Sequence, residues 1–276
     1  MDLIDLIIRN ALREDIYTGD ITTRSVVPQP QQAQARLVAK EEFILAGNQV
    51  AARVFTMLDA TTVYSTRFKD GDLCSPGDVI AEISGLDAVI LQGERVALNL
   101  LQRMCGIATL TSRYVAAVTG TSARIVDTRK TTPGLRVLEK YAVTIGGGGN
   151  HRAGLYDAVL IKENHIAAAG GITPAVTRSR AAIPHTMKIE VETENLAQVA
   201  EALACGADII MLDNMDCATM QEAVALIAGR SMVEASGGVN LDTVRGIAET
   251  GVNLISVGAL THSARAVDIS LLLGGA

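Results

Sequence analysis

The sequence predicts an α/β protein: a small N-terminal α+β domain followed by an incomplete (β/α) barrel. Two observations carry this expectation. Beyond position 120, six apolar runs of strand length recur, each followed by a helical segment. That is the pattern of parallel strands joined by crossover helices. Before position 90, short strand-like stretches are joined by turn signals such as Lys69-Asp70-Gly71-Asp72 and Ser75-Pro76-Gly77-Asp78, which suits an α+β arrangement. The 276 residues suffice for a barrel plus one small domain.

Taken in order, Leu3, Leu6, Ile7 and Asn10-Ala11-Leu12 follow a helical period that should stop before Gly19. Ala35–Ala39 reads as a strand, Val50–Leu58 as a short amphipathic helix, and Thr62–Phe68 alternates like a strand. Leu91–Val118 is helical, with a break expected near Gly106 and with Leu98, Leu101 and Ile107 on one face. This stretch reads as the link between domains. The six apolar runs are Ala123–Asp127, Ala158–Ile161, Met187–Val191, Ile209–Leu212, Met232–Ala235 and Leu254–Val257, and their character suits strands buried on both faces. No Gly-x-Gly-x-x-Gly follows a strand, which disfavours a Rossmann sheet, and the absence of any Gly-Lys pair excludes a P-loop.

Composition excludes several classes. Hydrophobic residues make up 49% and charged residues 20%, so general disorder is ruled out. A net charge of -6 argues against a nucleic-acid binder. Cys74, Cys105, Cys205 and Cys217 are scattered without a Cys-x-x-Cys pair, which predicts reduced thiols rather than a disulfide framework or structural zinc. No basic n-region opens the chain, no apolar run reaches membrane-span length, and no Asn-x-Ser/Thr sequon occurs. These features predict a cytoplasmic protein with no membrane association.

The strand ends carry the chemistry. The runs terminate in Asp127-Thr128-Arg129-Lys130, Lys162-Glu163-Asn164-His165, Glu190 with Glu192, Asp213-Asn214, Ser236-Gly237-Gly238 and Gly258. In a parallel barrel these C-terminal ends share the rim that holds the active site. Ser236-Gly237-Gly238, with Gly258 and His262, suits a phosphate cup, because glycine lets backbone N–H groups approach an anion and a helix is expected to follow. Glu192 and Asp213 offer hard oxygens for Mg2+ or, equally, acceptors for sugar hydroxyls. A glycosidase would use such a carboxylate pair, but neutral sugars do not need the surrounding cations. Gly146-Gly147-Gly148-Gly149 costs conformational entropy and is expected to let His151 and Arg152 approach a ligand. Arg129, Lys130, Arg152 and Lys162 then surround one mouth of an acidic protein, which implies a highly anionic substrate.

Thr128-Arg129-Lys130-Thr131-Thr132-Pro133-Gly134-Leu135-Arg136, Gly148-Gly149-Asn150-His151-Arg152 and Ile161-Lys162-Glu163-Asn164-His165 closely resemble the quinolinate phosphoribosyltransferases. So do Ile189–Glu192, Ile209–Asn214, Glu234–Gly238, Ser256–Thr261 and, in the N-terminal part, Gly19–Thr23 and Gly93-Glu94-Arg95. The resemblance covers nearly the whole chain. It implies an N-terminal α/β sandwich domain over 1–105 and, over 106–276, an incomplete barrel of about six to seven parallel strands.

The implied reaction converts quinolinate and phosphoribosyl pyrophosphate into nicotinate mononucleotide, pyrophosphate and CO2, with Mg2+. The implied assembly is a homodimer with shared active sites, and a hexamer is compatible with it. By resemblance, Arg129, His151 and Arg152 hold the quinolinate carboxylates, joined by Arg95 of the partner subunit. Lys130 and Lys162 face the anionic substrates, Glu192 and Asp213 serve ribose and Mg2+, and Ser236, Gly237, Gly238, Gly258 and His262 bind the 5′-phosphate. Cys105 stands where the family often has Ser, a change of similar size from which little effect is expected.

Overall fold

Leu3–Ile16 forms α1 as its spacing predicts, burying Ile8 and Leu12. The structure is a computed structural model that describes residues 3–274. Asp20 caps α2 (Ile21–Val26), accepting the Thr23 N–H at 2.9 Å. The chain continues through β1 (Gln32–Ala39), β2 (Phe43–Ile44), α3 (Asn48–Leu58), β3 (Val63–Ser65), β4 (Leu73–Cys74), β5 (Val79–Leu86) and α4 (Asp87–Ala117). There follow β6 (Arg124–Val126), α5 (Arg136–Ile145), β7 (Val159–Ile161), α6 (Glu163–Ala169), α7 (Ile172–Ala182) and β8 (Ile189–Thr193). The last elements are α8 (Leu196–Ala204), β9 (Ile209–Asp213), α9 (Cys217–Ile227), β10 (Met232–Ser236), α10 (Val244–Glu249), β11 (Leu254–Ser256), α11 (Ala259–His262) and β12 (Ile269–Leu273).

Two compact units interleave along the chain. The first comprises 1–112, 131–147 and 263–276, and the second 113–130 and 148–262. In the first unit, β12-β1-β5-β3 form an antiparallel sheet. The last strand of the chain thus pairs with the first, Leu37 opposite Leu271, a non-local partnership invisible to local pattern. On α3, Val50, Ala51, Val54 and Phe55 are buried, and the Phe55 ring stacks on Tyr64 with centroids 6.4 Å apart. A pairing of Arg103 with buried Glu139 at 3.0 Å ties α4 to α5.

The break expected near Gly106 is not there: α4 runs unbroken for 31 residues. Gly106 serves packing instead. A Cβ at that position would stand 1.9 Å from the carbonyl oxygen of Arg265, so the missing side chain lets backbone approach helix. Leu98, Leu101 and Ile107 are buried as expected.

In the second unit six strands form one parallel sheet in the order β6-β11-β10-β9-β8-β7. From β7 to β11 each strand pairs with the next in sequence, and β11 returns to pair with β6. The ladder is open between β6 and β7, which makes the barrel incomplete. Helices occupy the crossovers, and Ile125, Leu160, Val191, Ile210, Leu212, Val233 and Ile255 are buried along the strands. Along the free edge of β6 lies Gly149, whose N–H donates to Ile125 O at 2.8 Å and whose carbonyl accepts the Asp127 N–H at 3.1 Å. This end of the glycine run is therefore hydrogen-bonded backbone rather than a slack loop.

Candidate active site

Strand geometry puts every residue after a barrel strand on one rim. Arg129, Lys130, His151, Arg152, Lys162, Glu192, Asp213, Ser236, Gly237, Gly238, Gly258 and His262 all line one cavity of about 750 Å3 there. Arg95 stands exposed on α4 in the first unit and is not among the lining residues. Thr128, Leu160, Met211, Asn214, Glu234 and Ser256 also line the cavity, and no role was assigned to them from sequence.

Each side is positioned by identifiable contacts. Thr128 Oγ1 accepts the Lys130 N–H at 3.0 Å, and Thr261 Oγ1 donates to the Lys130 carbonyl at 2.8 Å. Gly258 leaves room for the same lysine: a Cβ there would meet Lys130 Cδ at 3.0 Å and His262 Nε2 at 3.2 Å. Gly237 has φ +89°, and its Cβ would lie 2.2 Å from Asn214 Oδ1, so only glycine fits this turn. Asn214 N–H in turn donates to Ser236 O at 2.9 Å, tying the ends of β9 and β10. The helix expected after this turn, α10, starts only at Val244, so the glycine backbone itself faces the cavity.

Two cations dominate one wall. Burial, then the neighbouring Arg129 guanidinium, lowers the Arg152 pKa; holding two such cations close together favours an anionic guest. Opposite in sign, Glu192 pairs with Lys162 Nζ across adjacent strand ends, and Asp213 Oδ2 accepts from Asn214 Nδ2 at 2.8 Å. Both carboxylates present hard oxygen donors to an open cavity. That donor set fits a cation of the Mg2+ type, which takes one or two protein carboxylates and completes its shell with substrate and water oxygens.

His151 is held differently from the expectation of a direct carboxylate ligand. Its Nδ1 accepts the Arg152 N–H at 2.7 Å, its Nε2 lies 3.0 Å from Glu190 Oε2, and its own N–H donates to buried Asp127 at 2.8 Å. Both ring nitrogens are thus engaged within the protein. Glu190 and Glu234 are buried at 3% and 1% exposure. Burial, then the Glu190 carboxylate, pushes Glu234 up to about 7. A charge inside the apolar run Met232-Val233-Glu234-Ala235 was the signal available for this residue.

Family models for quinolinate phosphoribosyl transferase match almost end to end, the N-terminal domain over 20–105 and the C-terminal domain over 107–272. The chain belongs to the quinolinate phosphoribosyltransferase family. Among relatives, a probable nicotinate-nucleotide pyrophosphorylase [carboxylating] of Bacillus subtilis is 48% identical, covering 94% of this chain and 89% of the relative. A chloroplastic nicotinate-nucleotide pyrophosphorylase [carboxylating] of Arabidopsis thaliana is 45% identical, covering 96% of this chain and 81% of the relative. The crystal structure of NadC from Streptococcus pyogenes superposes with a TM-score of 0.94 at 45% identity, covering 98% of this chain and 95% of that one. The α/β fold, with a small antiparallel sheet and a six-stranded parallel sheet, agrees with that of the Streptococcus pyogenes protein. No helix among the described residues is long and apolar enough to cross a membrane.

Proposed function

We infer that the chain is a decarboxylating quinolinate phosphoribosyltransferase, a pentosyltransferase of NAD biosynthesis. Quinolinate and phosphoribosyl pyrophosphate give nicotinate mononucleotide, pyrophosphate and CO2. The observation that carries this reading is one cavity lined by Arg129, Lys130, Arg152 and Lys162 together with the glycine turn Ser236-Gly237-Gly238, in a chain that matches the family along its length.

The chemistry follows from charge. The ring nitrogen of quinolinate attacks C1 of the ribose as pyrophosphate leaves. Arg129 and Arg152 hold the dicarboxylate by fork-shaped hydrogen bonding, and His151 fixes the backbone that presents Arg152. Lys130 and Lys162 stabilise the negative charge that builds on the leaving group. Glu192 and Asp213 face the ribose, where positive charge develops, and would hold Mg2+. That ion, when bound, supplies charge neutralisation to the pyrophosphate. The backbone of Ser236, Gly237, Gly238 and Gly258, with His262, receives the 5′-phosphate. Once the nitrogen is quaternary, loss of the 2-carboxylate leaves an electron pair on C2 stabilised by the adjacent positive nitrogen. Positioning two anions in line supplies much of the acceleration.

The working assembly is a homodimer in which Arg95 of one subunit completes the other's quinolinate site, and the compartment is the cytoplasm, in keeping with free Cys74, Cys105, Cys205 and Cys217. The test is one assay of purified protein with quinolinate, phosphoribosyl pyrophosphate and Mg2+, following nicotinate mononucleotide and CO2 together. Equal yields, lost on chelation, are the expected result. Product from nicotinate but not quinolinate would transfer the reading to a non-decarboxylating phosphoribosyltransferase. Inactivity with both would leave an anion-binding barrel.

A further inference from the structure

Glu234 stands in the middle of β10 between buried Val233 and Ala235. An ionised carboxylate in such surroundings is costly unless a cation meets it. The groups that face it are Glu190 from β8, His151 from the segment after Gly149, Ser256 from β11 and Lys162 from the end of β7; Asp127 lies behind His151, bonded to its backbone. His151 Nε2 is 3.0 Å from Glu190 Oε2 and 3.6 Å from Glu234 Oε1. Glu190 Oε1 and Glu234 Oε1 are buried without a hydrogen-bond partner.

His151 does not supply the missing positive charge. A backbone N–H can only donate, so the Arg152 N–H at 2.7 Å makes Nδ1 a bare acceptor. The single ring proton then sits on Nε2 and donates to Glu190. An imidazolium would need a hydrogen on Nδ1, and a metal ion on Nε2 would leave the ring an imidazolate, so this trio is not a metal site. Lys162 Nζ is engaged with Glu192. Beside Glu190, Glu234 therefore has the neutral His151 ring and the Ser256 hydroxyl as neighbours and no cation paired with it, surroundings that favour its protonated form. The His151 Nε2–H is directed to Glu190, and Glu234 Oε1 lies farther from it, buried without a hydrogen-bond partner. The carboxyl pKa near 7 noted above, caused first by burial, agrees with this.

Glu234 also lines the cavity, beside Arg152 and Lys162. The reaction requires a proton there. We propose that Glu234 is the general acid that protonates C2 of the pyridinium ring as CO2 departs, an assignment that rests on the decarboxylating reading above. The C2–carboxylate bond breaks and leaves its electron pair on C2. The Glu234 O–H bond breaks, a C2–H bond forms, and the resulting carboxylate regains its proton from water before the next turnover. Arg129 and Arg152 are committed to the carboxylates, and the His151 Nε2 proton to Glu190.

The test compares the wild-type protein with Glu234→Gln and Glu234→Asp, assayed with quinolinate, phosphoribosyl pyrophosphate and Mg2+ from about pH 5.5 to 9. The donor must be protonated, so wild-type kcat falls as pH rises through about 7. Glu234→Gln lowers kcat about a hundredfold, loses that limb and keeps KM for quinolinate within about twofold. Glu234→Asp regains part of the rate and the limb. A wild-type profile without a limb near neutrality overturns the proposal even if both variants fail to fold. It is equally overturned if Glu234→Gln keeps full kcat, or if its defect is confined to KM and thermal stability. Wild-type protein that releases neither pyrophosphate nor CO2 removes the underlying reading and the proposal together, a result distinct from an active enzyme indifferent to Glu234.

Discussion

Arg152 does two jobs with two different atoms. Its backbone N–H sets the His151 tautomer, and its guanidinium lines the cavity. Arg152→Ala removes the second and keeps the first. Steady-state kinetics should therefore show KM for quinolinate rising about tenfold to a hundredfold, with a smaller change in kcat, the loss expected of a charged hydrogen-bonded contact. Lys162→Ala should do the reverse, lowering kcat by about 10²–10³, because its charge matters most as the leaving group develops. Unaltered kinetics in both would remove these residues from the site.

Glu234 makes a prediction that needs no substrate. Its folded pKa lies above the unfolded carboxylate value, so the native state binds the extra proton. Stability should fall as pH rises from about 4.5 toward 7, where the folded group ionises. Chemical denaturation of Glu234→Gln should lack that decline, and an identical decline in both would show that another group causes it. Cys105, by contrast, is inert: it is fully buried, exchanges hydrogen bonds with Ala46, and burial raises its thiol pKa far above the ordinary value. This fits the expectation that Cys in place of Ser changes little.

At the level of elements, glycine positions decide more than strand patterns do. Gly106 lies inside α4, where alanine would ordinarily favour a helix, yet its Cβ would fall 1.9 Å from Arg265 O. Gly106→Ala should therefore destabilise the protein, by about 1–3 kcal/mol as an overpacked contact, measured by urea unfolding. Neutral or increased stability would mean that the Arg265 backbone yields easily. Gly146 plays a similar part, with Ala108 O only 2.4 Å from where its Cβ would be. The β-strand expected over Thr62–Phe68 shortens to Val63–Ser65, because Thr66 turns its hydroxyl to Ile80 O and Phe68 O instead of continuing the ladder. β5 carries no clear strand pattern in the sequence because Glu82, Ser84 and Gly85 dilute its strand character. Its pairing with both β1 and β3 supplies what local propensity lacks.

At the scale of the whole molecule, the return of the chain to its beginning is the main constraint. β12 covers the free edge of β1, and Ala264, Val267 and Ile269 are buried on the way. A chain ending at His262 should melt at lower temperature and aggregate, since it exposes an unpaired strand edge; unchanged melting would show that the first unit does not depend on its last strand. The proposed sharing of Arg95 predicts that mixing inactive Arg95→Ala and Lys162→Ala subunits restores part of the activity, because one mixed site then has both residues intact. No recovery in verified heterodimers would place Arg95 outside the reaction.

By itself the sequence determined the α/β class, the six barrel strands, their polar ends and, through its motifs, the family. These are local properties: strand-length apolar runs, turn chemistry and residue types at strand termini, each readable within a few positions. Only the tertiary structure decided the rest. It set β12 against β1 across more than two hundred positions, kept α4 continuous through Gly106, paired Gly149 with the open edge of β6, and brought Glu190 and Glu234 together around His151. Those features depend on which distant groups share a low-dielectric interior, where an unmatched charge or a single Cβ costs enough to choose the arrangement, and no local spacing records such partners.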